Sequence, residues 1–137
     1  MNLIRTFSFA LASTMLLASC GSTSDVLECE KRLTKEGYSV QYKSDRDYGG
    51  PATGAEGFKY YLKAGKIYID VSGESSTELL FAWFFDNEEH AKAWWDAKSA
   101  DAIKSVAIPE GAVSGQHKQF CYVGTENAVI ASQLSTL

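Results

Sequence analysis

In residues 25–36, apolar side chains recur at helical spacing among charged ones. We expect a helix from about Asp25 to Glu36, because every third or fourth residue there is apolar and the residues between are charged. Ser24 is suited to cap the start of this helix, and Gly37 is suited to end it. The apolar positions are Val26, Cys29 and Leu33.

The pattern then changes to the alternation and short apolar runs that are typical of strands. Glycine-rich and lysine-rich stretches between the runs indicate loops and turns. The continuously apolar run predicts a central strand covered on both faces. The expected elements are a strand Tyr38–Tyr42, a loop Asp45–Gly57, a hairpin of Phe58–Leu62 and Ile67–Val71 around a turn at Lys63–Lys66, a turn Gly73–Ser76, and the central strand Leu79–Phe85.

The last third predicts helix, strand and helix. Asp86 is expected to cap the long helix, with Glu89 in capping-box relation, and Thr125 to cap the short one. The expected elements are a helix Asn87–Ser105, a loop Val106–Gln116, a strand Gln119–Val123 and a helix Glu126–Leu134, with Leu79–Val123 forming a β-α-β unit.

Together these elements predict an α+β fold. We expect a mainly antiparallel sheet of about four to five strands, with two to three helices packed mainly on one face. The arrangement resembles ferredoxin-like modules in part, and that pattern is too common to indicate a function.

The N-terminal segment has a different character. Arg5 is the only charged residue before Asp25, and Thr6–Leu17 is apolar apart from small hydroxyl residues. Such a run is too short to cross a bilayer of about 30 Å of hydrocarbon. It matches the charged start and apolar core of a signal peptide. A buried N-terminal helix is the alternative, and the abrupt loss of charge after Arg5 argues against it.

The residues Leu17-Ala18-Ser19-Cys20 that follow resemble the lipobox of bacterial lipoproteins at all four positions. The resemblance implies that Cys20 receives lipid, including palmitate-type acyl chains, and that residues 1–19 are then removed. Two or more chains are the number needed for stable anchoring. Residues 20–24 would form a short lipidated tether, and residues 25–137 a single domain. Gly21 leaves the choice between cell membrane and outer membrane open, on the extracytoplasmic side in either case.

Composition and charge narrow the set of partners. The 137-residue chain has a formal charge of −4, and loss of Arg5 with the signal peptide leaves 12 basic and 17 acidic residues. A domain of charge −5 without a basic cluster is unsuited to nucleic acid, and anionic lipid would not attract it. We therefore expect lipid on Cys20 to make the membrane contact.

No constellation of catalytic or metal-binding residues stands out. His90 and His117 are expected on the surface, and no C-x-x-C, H-x-x-x-H or G-x-S-x-G pattern is present. Residues 45–50 resemble the start of a calcium loop, but Gly49 occupies the third ligand position and no distal glutamate fits. We predict neither a metal nor a cofactor.

Two features remain as candidates. Cys29 and Cys121 are an even pair once Cys20 is lipidated, so they form either a disulfide or two buried free thiols. Trp94 and Trp95 point about 100° apart on a helix, so both cannot face the sheet. One of them is expected at a contact with an envelope protein, a glycan or lipid headgroups.

The sequence thus favours a membrane-anchored envelope lipoprotein that binds without catalysing. The alternative is a small envelope hydrolase or enzyme inhibitor with dispersed site residues.

Overall fold

A computed structural model describes residues 23–137, which contain three helices and a five-stranded sheet. The predicted signal peptide, the lipobox and Cys20 lie outside the described residues. Helix α1 covers residues 23–35. The other elements are β1 (Ser39–Ser44), β2 (Phe58–Ile69), β3 (Ser75–Phe85), α2 (Glu88–Lys104), β4 (Val113–His117), β5 (Phe120–Gly124), α3 (Glu126–Ser132) and a 3₁₀ turn (Leu134–Thr136).

The sheet has the order β1-β2-β3-β5-β4, and every neighbouring pair is antiparallel. The predicted α+β class and antiparallel sheet are therefore confirmed. Helices α1 and α3 pack on one face of the sheet, whereas α2 and the loop before β2 cover the other. The sheet is thus enclosed on both sides, which explains why the Leu80–Phe85 segment of β3 is wholly buried.

The predicted turn at Lys63–Lys66 is wrong, because these residues lie in the middle of a continuous strand. Lys63 pairs with Phe81 and Lys66 with Glu78. Gly65 does not reverse the chain here. It allows close packing against Leu79, because a Cβ at position 65 would lie 3.2 Å from the Leu79 side chain.

Strands β2 and β3 reverse at residues 70–74 instead. The Asp70 carboxylate accepts hydrogen bonds from the backbone N–H groups of Ser72 and Glu74, at 2.8 and 3.0 Å. This Asx-type closure fixes the turn.

Strand β4 was predicted as loop, and its presence changes the connectivity. It forms a hairpin with β5 through Lys118, which adopts φ of 52°. Because β5 is antiparallel to β3, the expected β-α-β unit does not exist. Strand β4 is an edge strand without a run of apolar residues, so the hydrophobic pattern gives it no signal.

Two predicted caps are also wrong. Ser24 lies within α1. Asn87, not Asp86, caps α2, because its side chain accepts from the His90 N–H at 2.8 Å. Thr125 is the N-cap residue of α3, as predicted, although its hydroxyl forms no cap bond and instead accepts from the Leu79 N–H at 3.1 Å.

The core consists of two clusters separated by the sheet. The cluster under α1 and α3 contains Cys29 and Leu134, and the cluster under α2 contains Cys121 and Trp83. Both cysteines are free thiols on opposite sides of the sheet, so the alternative of two buried thiols applies and the disulfide is absent.

Arg32 joins the beginning of the described chain to its end. Its Nη1 donates to the carbonyl of Gln133 at 2.8 Å and to the Thr136 hydroxyl at 2.9 Å. It also donates to the carbonyl of Ser132 at 3.3 Å. Helix α1 thereby holds the C-terminal turn in place. Among residues 23–137, no helix has both the length and the apolar character needed to span a membrane.

Candidate functional site

The two adjacent indoles differ in burial. Trp94 is only 6% exposed, and its ring lies 5.4 Å from the rings of both Trp83 and Phe85. Its Nε1 donates to the Pro51 carbonyl at 3.4 Å. Trp95 is half-buried at the edge of the same cluster. In the free protein Trp94 is a core residue, which leaves Trp95 as the partly exposed indole.

Three ionisable side chains converge where β3 meets α2. His90 Nδ1 lies 2.6 Å from Asp86 Oδ1, and His90 Nε2 lies 3.4 Å from Glu56 Oε2. The hydrogen bond with Asp86 raises the pKa of His90 above its ordinary value, with further contributions from the charges of Asp86 and Glu56. Gly57 lies directly beneath this group, and we call Glu56, Asp86 and His90 the histidine cluster.

A shallow cavity of about 370 Å³ adjoins the histidine cluster. Thr53 provides a hydroxyl there, but that oxygen accepts a hydrogen bond from the Gly50 N–H at 3.0 Å. The site can hold a protonated imidazole beside a carboxylate, which suits general acid–base chemistry. The cavity is lined by Pro51, Thr53, Gly54, Ala55, Glu56, His90, Ala93, Trp94, Ala97 and Lys98.

The two thiols are unsuited to nucleophilic chemistry. Burial raises the pKa of Cys29 to about 12 and raises the pKa of Cys121 as well. The Cys121 thiol donates to the Ala91 carbonyl at 3.4 Å, which anchors α2 to β5. In residues 23–137, no group of three His, Cys, Asp or Glu side chains is placed to hold a metal ion.

Four of the eight exposed large apolar side chains of residues 23–137 lie at the far end of the β2–β3 hairpin. We call residues 66–78 the hairpin arm, because β1 pairs with β2 only from Tyr60 to Gly65 and β5 pairs with β3 only from Leu80 to Phe84. Four large apolar side chains of the arm are exposed: Ile67 (71%), Tyr68 (53%), Ile69 (66%) and Val71 (fully).

Strand alternation assigns these side chains to different faces. Leu62 and Ala64 belong to the cluster under α1, so Lys66 and Tyr68 lie on that face. Ile67 and Ile69 lie on the α2 face. On the α1 face, Lys66 donates to the Glu36 carbonyl at 2.7 Å beside a cavity of about 280 Å³.

Helix α1 begins at the end of the sheet opposite to the arm. The Thr23 hydroxyl lies 3.1 Å from the Tyr60 hydroxyl, whereas the Glu36 carbonyl at the other end of the helix contacts Lys66. Tyr60 and Ile69 are nine residues apart on one strand, which corresponds to about 30 Å. The chain therefore enters the described fold about 30 Å from the end of the arm.

Sequence reasoning missed both the arm and the histidine cluster. Ile67, Ile69 and Val71 share a face and so indicate a buried strand, and nothing local shows that no helix covers them. The spacing of Asp86 and His90, four residues apart, was the one available signal for the cluster. No protein-family model matches this chain, and comparisons with curated proteins and with solved structures found no match either.

Proposed function

We propose that this chain is the precursor of an envelope lipoprotein, and that its mature domain acts by binding a partner and not by catalysis. The lipobox residues Leu17–Cys20 support the anchor. Since residue 23 is already helical, only three residue steps separate Cys20 from the folded domain. They reach at most about 10 Å. The domain would stay close to the membrane that holds the lipid.

The observation that carries the binding proposal is the exposure of the hairpin arm. Burial of one aliphatic side chain contributes about 1.5–3 kcal/mol, so Ile67, Ile69 and Val71 together offer roughly 4.5–9 kcal/mol before the costs of association. Exposed apolar surfaces of this kind are typical of sites that bind a protein or a membrane.

The anchor is tested by metabolic labelling with a palmitate analogue, followed by intact mass measurement. Wild type is expected to incorporate label and to lose residues 1–19. Cys20→Ala should do neither, whereas Ser22→Ala, which lies outside the lipobox, should behave as wild type. Acylation that persists in Cys20→Ala would show that the lipobox interpretation is wrong.

The contact surface is tested by photo-crosslinking in native envelopes. A photoreactive residue at position 71 is expected to form a protein adduct, and the same residue at position 27 should not. Leu27 is a suitable control because it is 44% exposed but lies near the start of α1, at the end of the sheet opposite to the arm. An adduct from position 95 with none from position 71 would transfer the contact to Trp95.

A hydrolase is the second candidate, and the histidine cluster is the observation that favours it. His90 paired with Asp86 at 2.6 Å beside a cavity is a possible general base. Among residues 23–137, no hydroxyl or thiol group is activated as a nucleophile. Water would therefore have to attack the substrate. Hydrolysis of a panel of activated esters that is lost in His90→Gln and retained in His117→Gln would establish this function in place of binding.

A further inference from the structure

The hairpin arm has strand edges with which no described strand pairs. Beyond Gly65 the outer edge of β2 has no neighbouring strand in the described chain, and the same is true of β3 at Ser75–Glu78. The edge of β3 has a hydrogen-bonding neighbour again at Leu79, because the Leu79 N–H and carbonyl are both hydrogen-bonded to Thr125. Backbone groups at an open edge are templates for pairing with another strand.

A lipid bilayer cannot be the surface that covers Ile67 and Ile69. These side chains lie on the α2 face, whereas α1, which carries the anchor, packs on the opposite face. If the α2 face lay on the membrane, two layer spacings of about 10 Å each would separate the start of α1 from the lipid. The three residue steps from Cys20 reach only about half of that distance. The occupant of this face is therefore a protein and not lipid.

Charge restricts that protein further. The arm, residues 66–78, carries Asp70, Glu74 and Glu78 against one basic residue, Lys66, so its formal charge is −2. Two arms of this charge would repel each other, which disfavours self-pairing. A strand with basic residues would complement them.

We propose that the hairpin arm binds an extended, apolar and basic segment of another protein by strand addition to its open edge. The incoming strand pairs with the arm's backbone, and its apolar side chains cover Ile67 and Ile69 while its basic side chains meet the acidic residues. This inference rests on the proposed function, because the bilayer is excluded only for a chain anchored at Cys20.

The test uses the acylated mature protein in detergent micelles, with its lipid verified by intact mass. The probe is a blocked peptide of alternating valine and lysine, and its glutamate counterpart is the charge control. Amide hydrogen exchange reports the site. We expect saturable protection confined to residues 66–69 or 75–78, weakened by salt and absent with the glutamate peptide.

A matched pair of variants separates the arm from general apolar binding. Ile69→Thr keeps the β-branched shape and should weaken binding at least tenfold. Ile130→Thr changes a side chain of equal exposure on the other face and should bind as wild type. Both positions are exposed, so neither variant is expected to unfold.

Several outcomes would overturn the inference. These are equal protection by the two peptides, unchanged binding in Ile69→Thr, and absence of protection at millimolar peptide. Protection that grows with protein concentration alone would identify a second copy as the occupant, and protection by protein-free vesicles would identify lipid. Failure of the peptide in a correctly acylated protein refutes the strand proposal alone, whereas an unacylated mature chain refutes the anchor.

Discussion

Replacement of Gly57 by alanine is expected to destabilise the fold by two separable effects. Gly57 has φ of +80°, and a Cβ there would lie 2.3 Å from Asp86 Oδ1 and 2.4 Å from His90 Nδ1. The left-handed backbone alone costs a residue with a Cβ roughly 1–2 kcal/mol. Displacement of the packed side chains adds the usual overpacking cost of about 1–3 kcal/mol. Gly57→Ala should therefore lower the free energy of unfolding by roughly 2–5 kcal/mol.

Gly54 provides the matched control. It has φ of +78° in the same loop, but a Cβ there would meet no atom within 4 Å. Gly54→Ala should therefore lose only the backbone part, about 1–2 kcal/mol. Urea denaturation of both variants, followed by NMR titration of His90 in each, measures the two effects. Equal losses of stability with an unchanged His90 titration would show that Gly57 does not support the histidine cluster.

Three further predictions concern the core and the histidine cluster. Trp94→Ala should lower the free energy of unfolding by about 3–5 kcal/mol, as for a buried aromatic residue, and Trp95→Ala should lower it less; equal losses in a thermal melt would contradict the difference in burial. Native protein should show no thiol that reacts with a disulfide reagent, and denatured mature protein should show Cys29 and Cys121 as free; an oxidised pair would contradict the sheet that separates them. The pKa of His90 is raised in the fold, so its pairing stabilises fully below the ordinary value of 6.5 and is lost as pH rises through the folded pKa. The stability difference between wild type and His90→Gln should therefore shrink in alkaline solution, and a difference that grows there would reverse the assigned sign.

The helices were predictable because their apolar spacing and their packing agree. Val26, Cys29 and Leu33 are all fully buried along α1, as their spacing indicates. The geometric argument for the adjacent indoles also holds, since Trp94 is buried and Trp95 is not.

The strands were harder to predict because their local chemistry is ambiguous. The segment Lys63–Lys66 has the composition of a turn, and only the tertiary position of Gly65 against Leu79 explains its place in a strand. Strand β4 carries no apolar run and pairs only with β5. A local pattern does not contain the pairings between distant residues. Those pairings decide which side of the sheet Cys29 and Cys121 face and which strand ends project past their neighbours.

The bonds from Arg32 to the C-terminal turn have a consequence for the order of folding. They join residues about 100 positions apart, and Leu134 completes the core cluster beneath α1. The contacts of α1 are thus complete only after residues 132–136 have left the ribosome or a translocation channel. Closure of such distant contacts is slow because the intervening chain must be ordered first. For a chain that is proposed to cross a membrane before it is anchored, this delay would keep α1 from completing its packing until residues 132–136 have passed through.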